Sequence, residues 1–334
     1  MATWREAGVA LEPSGRAIIP AAVILFVVFL QACSILARQS TIAYMAVTTG
    51  SKGIEIQMHR SFIERYKNRV TISATVMVDQ VMPSPVPASL DGDLHFSGRS
   101  PQIGLPVVSE ISNAAFHKDA MDIAHRAGGS GTPIRVTGVW RIWPEHSGGG
   151  AEVQGKPLGA YTMANPNHVF EIHPVTSIAG LGLLDSFVPI DGFKPGDADR
   201  TFAIYEKAPC TLTVHRDTVT IAMPQGLYND VEFIMELTDV RQDDVDDGRI
   251  LNVAVRNLKG DVVVPRLRMV FAAGTPPELA VKRLGRGDRL HVYGMPRLNF
   301  AEISRRVRES ERNPAVLTGT VPYEIIVLGM YPKD

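Results

Sequence analysis

A chain of 334 residues, 45% hydrophobic and 21% charged, carries enough apolar surface for two domains with cores of their own, which excludes disorder throughout. Its formal net charge of −1 exerts no overall pull on phosphate backbones or anionic lipid, so any nucleic-acid role has to rest on a local patch. With Cys33 and Cys210 the only cysteines, a cysteine-ligated metal cluster is excluded too.

The first element is Ala17 to Ala37, 21 residues without a charge between Arg16 and Arg38. At about 1.5 Å per residue, a helix of that length crosses a bilayer core of roughly 30 Å. Three readings stay open: an uncleaved transmembrane anchor, a lipoprotein signal, or a helix buried in the fold. The second rests on Leu30-Gln31-Ala32-Cys33, which resembles the lipobox of bacterial lipoproteins and would make Cys33 the lipidated residue. The first two expect a membrane-anchored protein with its main body in the periplasm or otherwise outside the cytoplasm. The flanking charges do not set orientation, because Arg5 and Arg16 are offset by Glu6 and Glu12.

Residues 39–68 read as a linker leading into the fold. Arg69 to Val81 then alternates, with Val70, Ile72, Ala74, Val76 and Val78 on one face, the period of a half-buried strand. After a loop with Pro83, Pro85 and Pro87 come two more strands, Asp91 to Gly98 and Leu105 to Ile111. The spacing of Ala115, Phe116, Ala120, Ile123 and Ala124 predicts a helix, capped by Ser112 or Asn113 and stopped at Gly128. Two further strands follow, Ile134 to Trp143 and His168 to Ile178, separated by a loop around Gly148 to Gly150. Three strands, a helix and two strands is the order of the OB fold, a five-stranded Greek-key barrel.

The last two strands recur about 155 residues later, with Gly138 and Glu171 matched by Gly294 and Glu324. The expected class is therefore mainly β: two small OB-type barrels, each with one short helix, after an N-terminal transmembrane helix. In the second copy, Thr211 to Met223 and Asp230 to Val240 alternate, Thr275 to Leu284 is the helix, and Arg305 to Asn313 is a charged excursion. The extra strands ahead of this copy leave a different β-domain open as its alternative. The expected divisions are 1–38 (anchor or signal), 39–68 (linker), 69–182 (first barrel), 183–200 (linker) and 201–334 (second β-domain).

Chemistry concentrates in the first copy. Alternation puts Asp91, Asp93 and His95 on one strand face, with Leu94 and Phe96 opposite; Glu171 and His173 likewise share a face, and Glu110 precedes the helix. Carboxylates and imidazoles pointing away from the core suit a divalent ion or a general base, with Asp93, His95, Glu171 and His173 as the metal candidates. Asp91-Gly92-Asp93 resembles the Asp-Gly-Asp segment of staphylococcal-nuclease-like proteins, OB barrels whose aspartates hold calcium beside a phosphodiester. The likeness ends there, because Leu94-His95-Phe96 follows and no matching arginine strand does. Arg135, Arg141 and Trp143, expected to face outward, complete the candidate binding residues, with Trp140 inward. No phosphate-binding glycine loop, nucleophile elbow or HExxH motif occurs.

The leading expectation is a membrane-tethered envelope protein whose barrels bind a protein or polymeric ligand without chemistry and without a resident cofactor. The alternative is an OB-type nucleic-acid binder or metal-dependent nuclease using Asp91, Asp93, His95, Glu171 and His173. A third is a regulator held at the cytoplasmic membrane face by its N-terminal helix.

Overall fold

The computed structural model describes residues 53–238, 243–310 and 315–332. The apolar run Ala17–Ala37 and Cys33 lie outside the described residues. Among the described residues no helix is long and apolar enough to cross a membrane.

The alternating segments of the first half close into a five-stranded barrel. Its strands are β1 (Thr71–Val81), β2 (Leu94–Arg99), β3 (Val107–Ile111), β4 (Ile134–Ile142) and β5 (Phe170–Ile178). Neighbours run β3-β2-β1-β4-β5, and a parallel β3–β5 pair closes the ring. Five strands of the second half repeat this circuit. β6 (Val231–Leu237), β7 (Gly248–Arg256), β8 (Val262–Ala272), β9 (Arg289–Leu298) and β10 (Tyr323–Met330) run β8-β7-β6-β9-β10, closed by a parallel β8–β10 pair. The chain is thus mainly β, with two closed five-stranded barrels and a few short helices, an arrangement consistent with an OB-like fold. Each barrel has a helix between its third and fourth strands, α1 (Lys118–Ala127) and α2 (Pro276–Val281).

Both barrels fill as their alternation requires, with Ile72, Val76, Leu94, Phe96, Trp140 and Ile172 buried in the first and Phe233, Leu251, Met269, Phe271 and Ile325 in the second. The repeated glycine has a steric cause. A Cβ at Gly138 would lie 2.5 Å from the Pro174 carbonyl oxygen, and one at Gly294 would lie 2.3 Å from that of Ile326. In each copy the glycine lets its strand press against the one that carries the glutamate.

Thr211 to Met223 does not join the second barrel. It forms the strands Pro209–Val214 and Thr218–Met223 of a separate five-stranded sheet, whose other strands are Ala315–Thr320, Ile54–His59 and Gly150–Val153. Ile54–His59, within the segment expected to be a linker, pairs with both Thr218–Met223 and Gly150–Val153. This pairing joins residues far apart in sequence, which strand periodicity does not specify.

The helix of the first barrel also starts later than its apolar spacing suggests. Asn113 is left-handed (φ 52°), and its side-chain Nδ2 donates to the carbonyls of Ser186 and Val188. It therefore caps nothing; a single 3-10 turn follows and leaves Phe116 84% exposed. The charged excursion is a helix, Phe300–Glu309, which buries Phe300, Ile303 and Val307 on one face.

Candidate functional site

The polar face of β2, β3 and β5 gathers the chemistry-bearing residues into one cluster. Asp93, His95, Glu110 and His173 are each no more than 5% exposed. The expected pattern of faces holds, since their neighbours Leu94, Phe96, Ile111 and Ile172 fill the barrel. Pointing away from the barrel, however, does not mean facing water.

His173 is the hub: its Nε2 lies 2.8 Å from Asp93 Oδ2 and its Nδ1 lies 3.1 Å from Glu110 Oε2. The same Glu110 oxygen is 3.1 Å from His95 Nε2, while His95 Nδ1 lies 3.2 Å from Met82 Sδ. Ser112 Oγ donates to Asp93 Oδ2 at 3.2 Å. Asp91 sits at the edge, half-buried, and accepts a hydrogen bond from the Asp93 backbone N–H at 3.1 Å. Asp93 Oδ1 and Glu110 Oε1 are buried with no hydrogen-bond partner, and the approach of His173 Nδ1 to Glu110 is an ion-pair contact without hydrogen-bond geometry. One donor atom from each of Asp93, Glu110 and His173 lies within 4.8 Å of the others, and Glu110, His168 and Glu171 form a second such group.

Backbone irregularity aims His173. Across β4 and β5, Gly138 faces Val175 and Trp140 faces Ile172, so His173 and Pro174 together stand opposite Val139. A bulge of this kind re-aims a side chain. In the second barrel the matching stretch is regular, with Met295 facing Ile326 and Pro296 facing Ile325.

Burial alone would discharge this cluster, and close opposite charges decide which groups resist. Burial pulls the His95 imidazole down, but the Glu110 carboxylate lifts it to about 9. Burial pushes Glu110 up, yet His173 and His95 hold it down to about 2. His173 is likewise raised well above the ordinary histidine value by Glu110 and Asp93, against its burial. Burial and then the Asp93 charge raise Asp91 to about 7.

Glu171 belongs to a different device. It accepts from Arg141 and lies 3.1 Å from His168 Nε2 and 3.6 Å from His173 Nδ1. Because His168 Nδ1 faces the Pro166 carbonyl at 2.7 Å, both ring nitrogens of His168 face acceptors, and against its burial the Glu171 carboxylate raises its pKa above the ordinary histidine value. Arg141 also donates to Asn229 and, at 2.9 Å, to the carbonyl of Pro296 in the second barrel. Arg297 repeats this arrangement, donating to Glu324 and to the carbonyls of Trp140 and Val70. Each arginine thus reaches the carbonyl one residue before the other, and the two barrels clasp reciprocally.

Arg141 and Trp143 are therefore not on a surface: both are 1% exposed, and Trp143 Nε1 donates to the Tyr228 carbonyl. The outward face at that end of β4 is covered by the second barrel, which alternation within one strand does not disclose. Arg135 alone is exposed, and it bonds Ser73 at a distance from the cluster. Sequence reasoning missed His168, Asn229 and Glu145, whose Oε2 lies 3.2 Å from Arg141 Nη2. His168 carries a faint signal, three residues before Glu171; the others arrive from loops.

The two barrels allow a position-by-position comparison. Glu171 faces Arg141 as Glu324 faces Arg297. Followed through the cross-strand registers, Glu110 corresponds to Val270, His95 to Ile250, His173 to Ile326, Ser112 to Ala272 and Asp93 to Gly248. Ile250, Val270, Ala272 and Ile326 form a buried apolar cluster with Val70 and Val139. The arginine–glutamate pair is shared; the histidine–carboxylate cluster occurs in one copy.

No protein-family model matches the chain. No curated protein matches it significantly either. A solved structure described as "Structural mimicry for functional antagonism" has 7% identity over 82% of this chain and 100% of its own, with a TM-score of 0.18, too low to carry an argument.

Proposed function

We propose that this is a binding protein built from two OB folds, in which the first barrel carries the ligand site and the second is its scaffold. The observation behind this reading is that the second barrel fills the positions of His95, Glu110 and His173 with Ile250, Val270 and Ile326 and has Gly248 at that of Asp93. A barrel of this design therefore does not need Asp93, His95, Glu110 and His173 in order to pack. Replacing a buried ionic cluster by apolar residues is often neutral or stabilising, by about 1 to 4 kcal/mol. A cluster kept against that gradient is best explained by a ligand.

The site suits a small ligand. Carboxylates that are 2 to 3% exposed leave a phosphodiester strand no approach, so the nuclease alternative is not taken up. The tether at Ala17–Ala37 is part of the proposal and places the barrels at a membrane. The test of the site needs no ligand: a variant carrying His95→Ile, Glu110→Val and His173→Ile, the residues of the second barrel, with the small Asp93→Ala where that barrel has Gly248, should come within about 1 kcal/mol of the parent's stability in urea or exceed it. A marked loss of stability would make the cluster structural and end the proposal.

A further inference from the structure

The geometry points to a divalent cation of the first-row borderline class, Mn²⁺ to Zn²⁺, held by Asp93, Glu110 and His173 with His95 beside them. This inference rests on the first-barrel site proposed above and names its ligand.

Three features carry it. First, donor atoms of the three residues lie within 4.8 Å of one another, close enough to share one ion. Second, Asp93 Oδ1 and Glu110 Oε1 have no hydrogen-bond partner although their side chains are at least nine-tenths buried, and His173 Nδ1 approaches Glu110 Oε2 at 3.1 Å without hydrogen-bond geometry. An orphaned buried carboxylate oxygen is costly, and what satisfies two of them beside an imidazole nitrogen is a cation. Third, the bulge that turns His173 into the cluster is missing from the barrel that lacks the cluster.

The donor set fixes the class. No thiolate is present, which removes soft ions. Two carboxylates fall short of the six to eight oxygens that Ca²⁺ takes, whereas imidazole with carboxylate suits Zn²⁺, Fe²⁺, Co²⁺ and Mn²⁺. The second group, Glu110, His168 and Glu171, is not another centre. Arg141 already sits on Glu171, and both ring nitrogens of His168 are taken. Glu171 lies 3.6 Å from His173 Nδ1, on the same side of the ring as Glu110, and is held by Arg141 rather than by the ion.

The experiment is calorimetric titration of Zn²⁺ into the full chain in detergent, stripped with chelator beforehand, and into Glu110→Gln and the fourfold apolar variant. One Zn²⁺ per chain is expected, with Mn²⁺ weaker and Ca²⁺ unable to compete at about hundredfold excess. Glu110→Gln should weaken Zn²⁺ binding by about 100-fold or more, since even outer-shell changes cost 10- to 100-fold, and the fourfold variant should bind none at this site. Absence of stoichiometric binding in the parent chain, or equal binding in the fourfold variant, would overturn the inference. If the fourfold variant is fully stable and the parent takes no metal, the ligand site stands and only the cation falls.

Discussion

Removing Glu110 alone should cost far more than removing the whole cluster. In Glu110→Val, His95 and His173 both lose the carboxylate that each approaches at 3.1 Å, leaving His95 with Met82 and His173 with Asp93 and the more distant Glu171. Breaking a buried charge pair on one side costs about 3 to 5 kcal/mol, and Glu110 answers to two partners, so the upper end applies. Adding Asp93→Ala, His95→Ile and His173→Ile removes every stranded charge and fills the space with the volumes that Ile250 and Ile326 supply in the second barrel. The fourfold variant should therefore recover to within about 1 kcal/mol of the parent or exceed it, a coupling of at least about 3 kcal/mol in its favour. The assay is urea unfolding at pH 6 in the presence of chelator, followed by far-UV circular dichroism and by tryptophan fluorescence, the two probes testing whether one transition describes both barrels. Costs that simply add from Glu110→Val to the fourfold variant would refute the reasoning.

Acid and base should act on the cluster in a defined window. His95 and His173 have folded values above their unfolded ones, so their stabilisation is complete below about pH 6.5 and is lost as pH rises, for His95 through about 9. Asp91, raised to about 7, adds the same sign, because its neutral form is favoured in the fold and is lost as pH climbs. Glu110, held down to about 2, contributes above its unfolded value and is lost only in strong acid. Unfolding free energy should fall from pH 5 to pH 9 in the metal-free parent and fall less in the fourfold variant; equal slopes would remove the cluster as the cause. Gly138→Ala and Gly294→Ala should each cost about 1 to 3 kcal/mol, read as a lowered Tm, because the new Cβ meets a backbone carbonyl at 2.5 Å or less. An unchanged Tm in both would show that the strands can separate there. Arg297→Lys should destabilise by about 3 kcal/mol or more, since it breaks the fork to Glu324 and strands the carbonyls of Val70 and Trp140; a loss below about 1 kcal/mol would mean the clasp does not hold the barrels.

Much of the barrel architecture was legible because strand alternation is a local signal. Leu94 and Phe96 went inward and Asp93 and His95 to the other face, as the period requires. The repeat of glycine and glutamate pointed to two copies of one barrel, but its third member, the arginine three residues after each glycine, passed unnoticed. A single strand's alternation marks Arg141 as solvent-facing, and only the second barrel's Pro296 carbonyl and Asn229 side chain show why a charge is buried there. Ile54–His59 and Thr218–Met223 likewise pair across 159 or more positions, which no local pattern encodes. For the site, what the two copies do not share proved the better guide: His173 and its bulge belong to the first copy, and Ile326 stands in the second.

The most direct measurement of the central claim is an anomalous difference map from crystals of the chain grown with Zn²⁺ and collected at the zinc edge. The account predicts one strong peak within about 2.0 to 2.2 Å of ligand atoms from Asp93, Glu110 and His173, with no counterpart among Ile250, Val270 and Ile326. A map whose peaks lie only elsewhere, with Asp93, Glu110 and His173 still joined in their closed ion pairs, would contradict it.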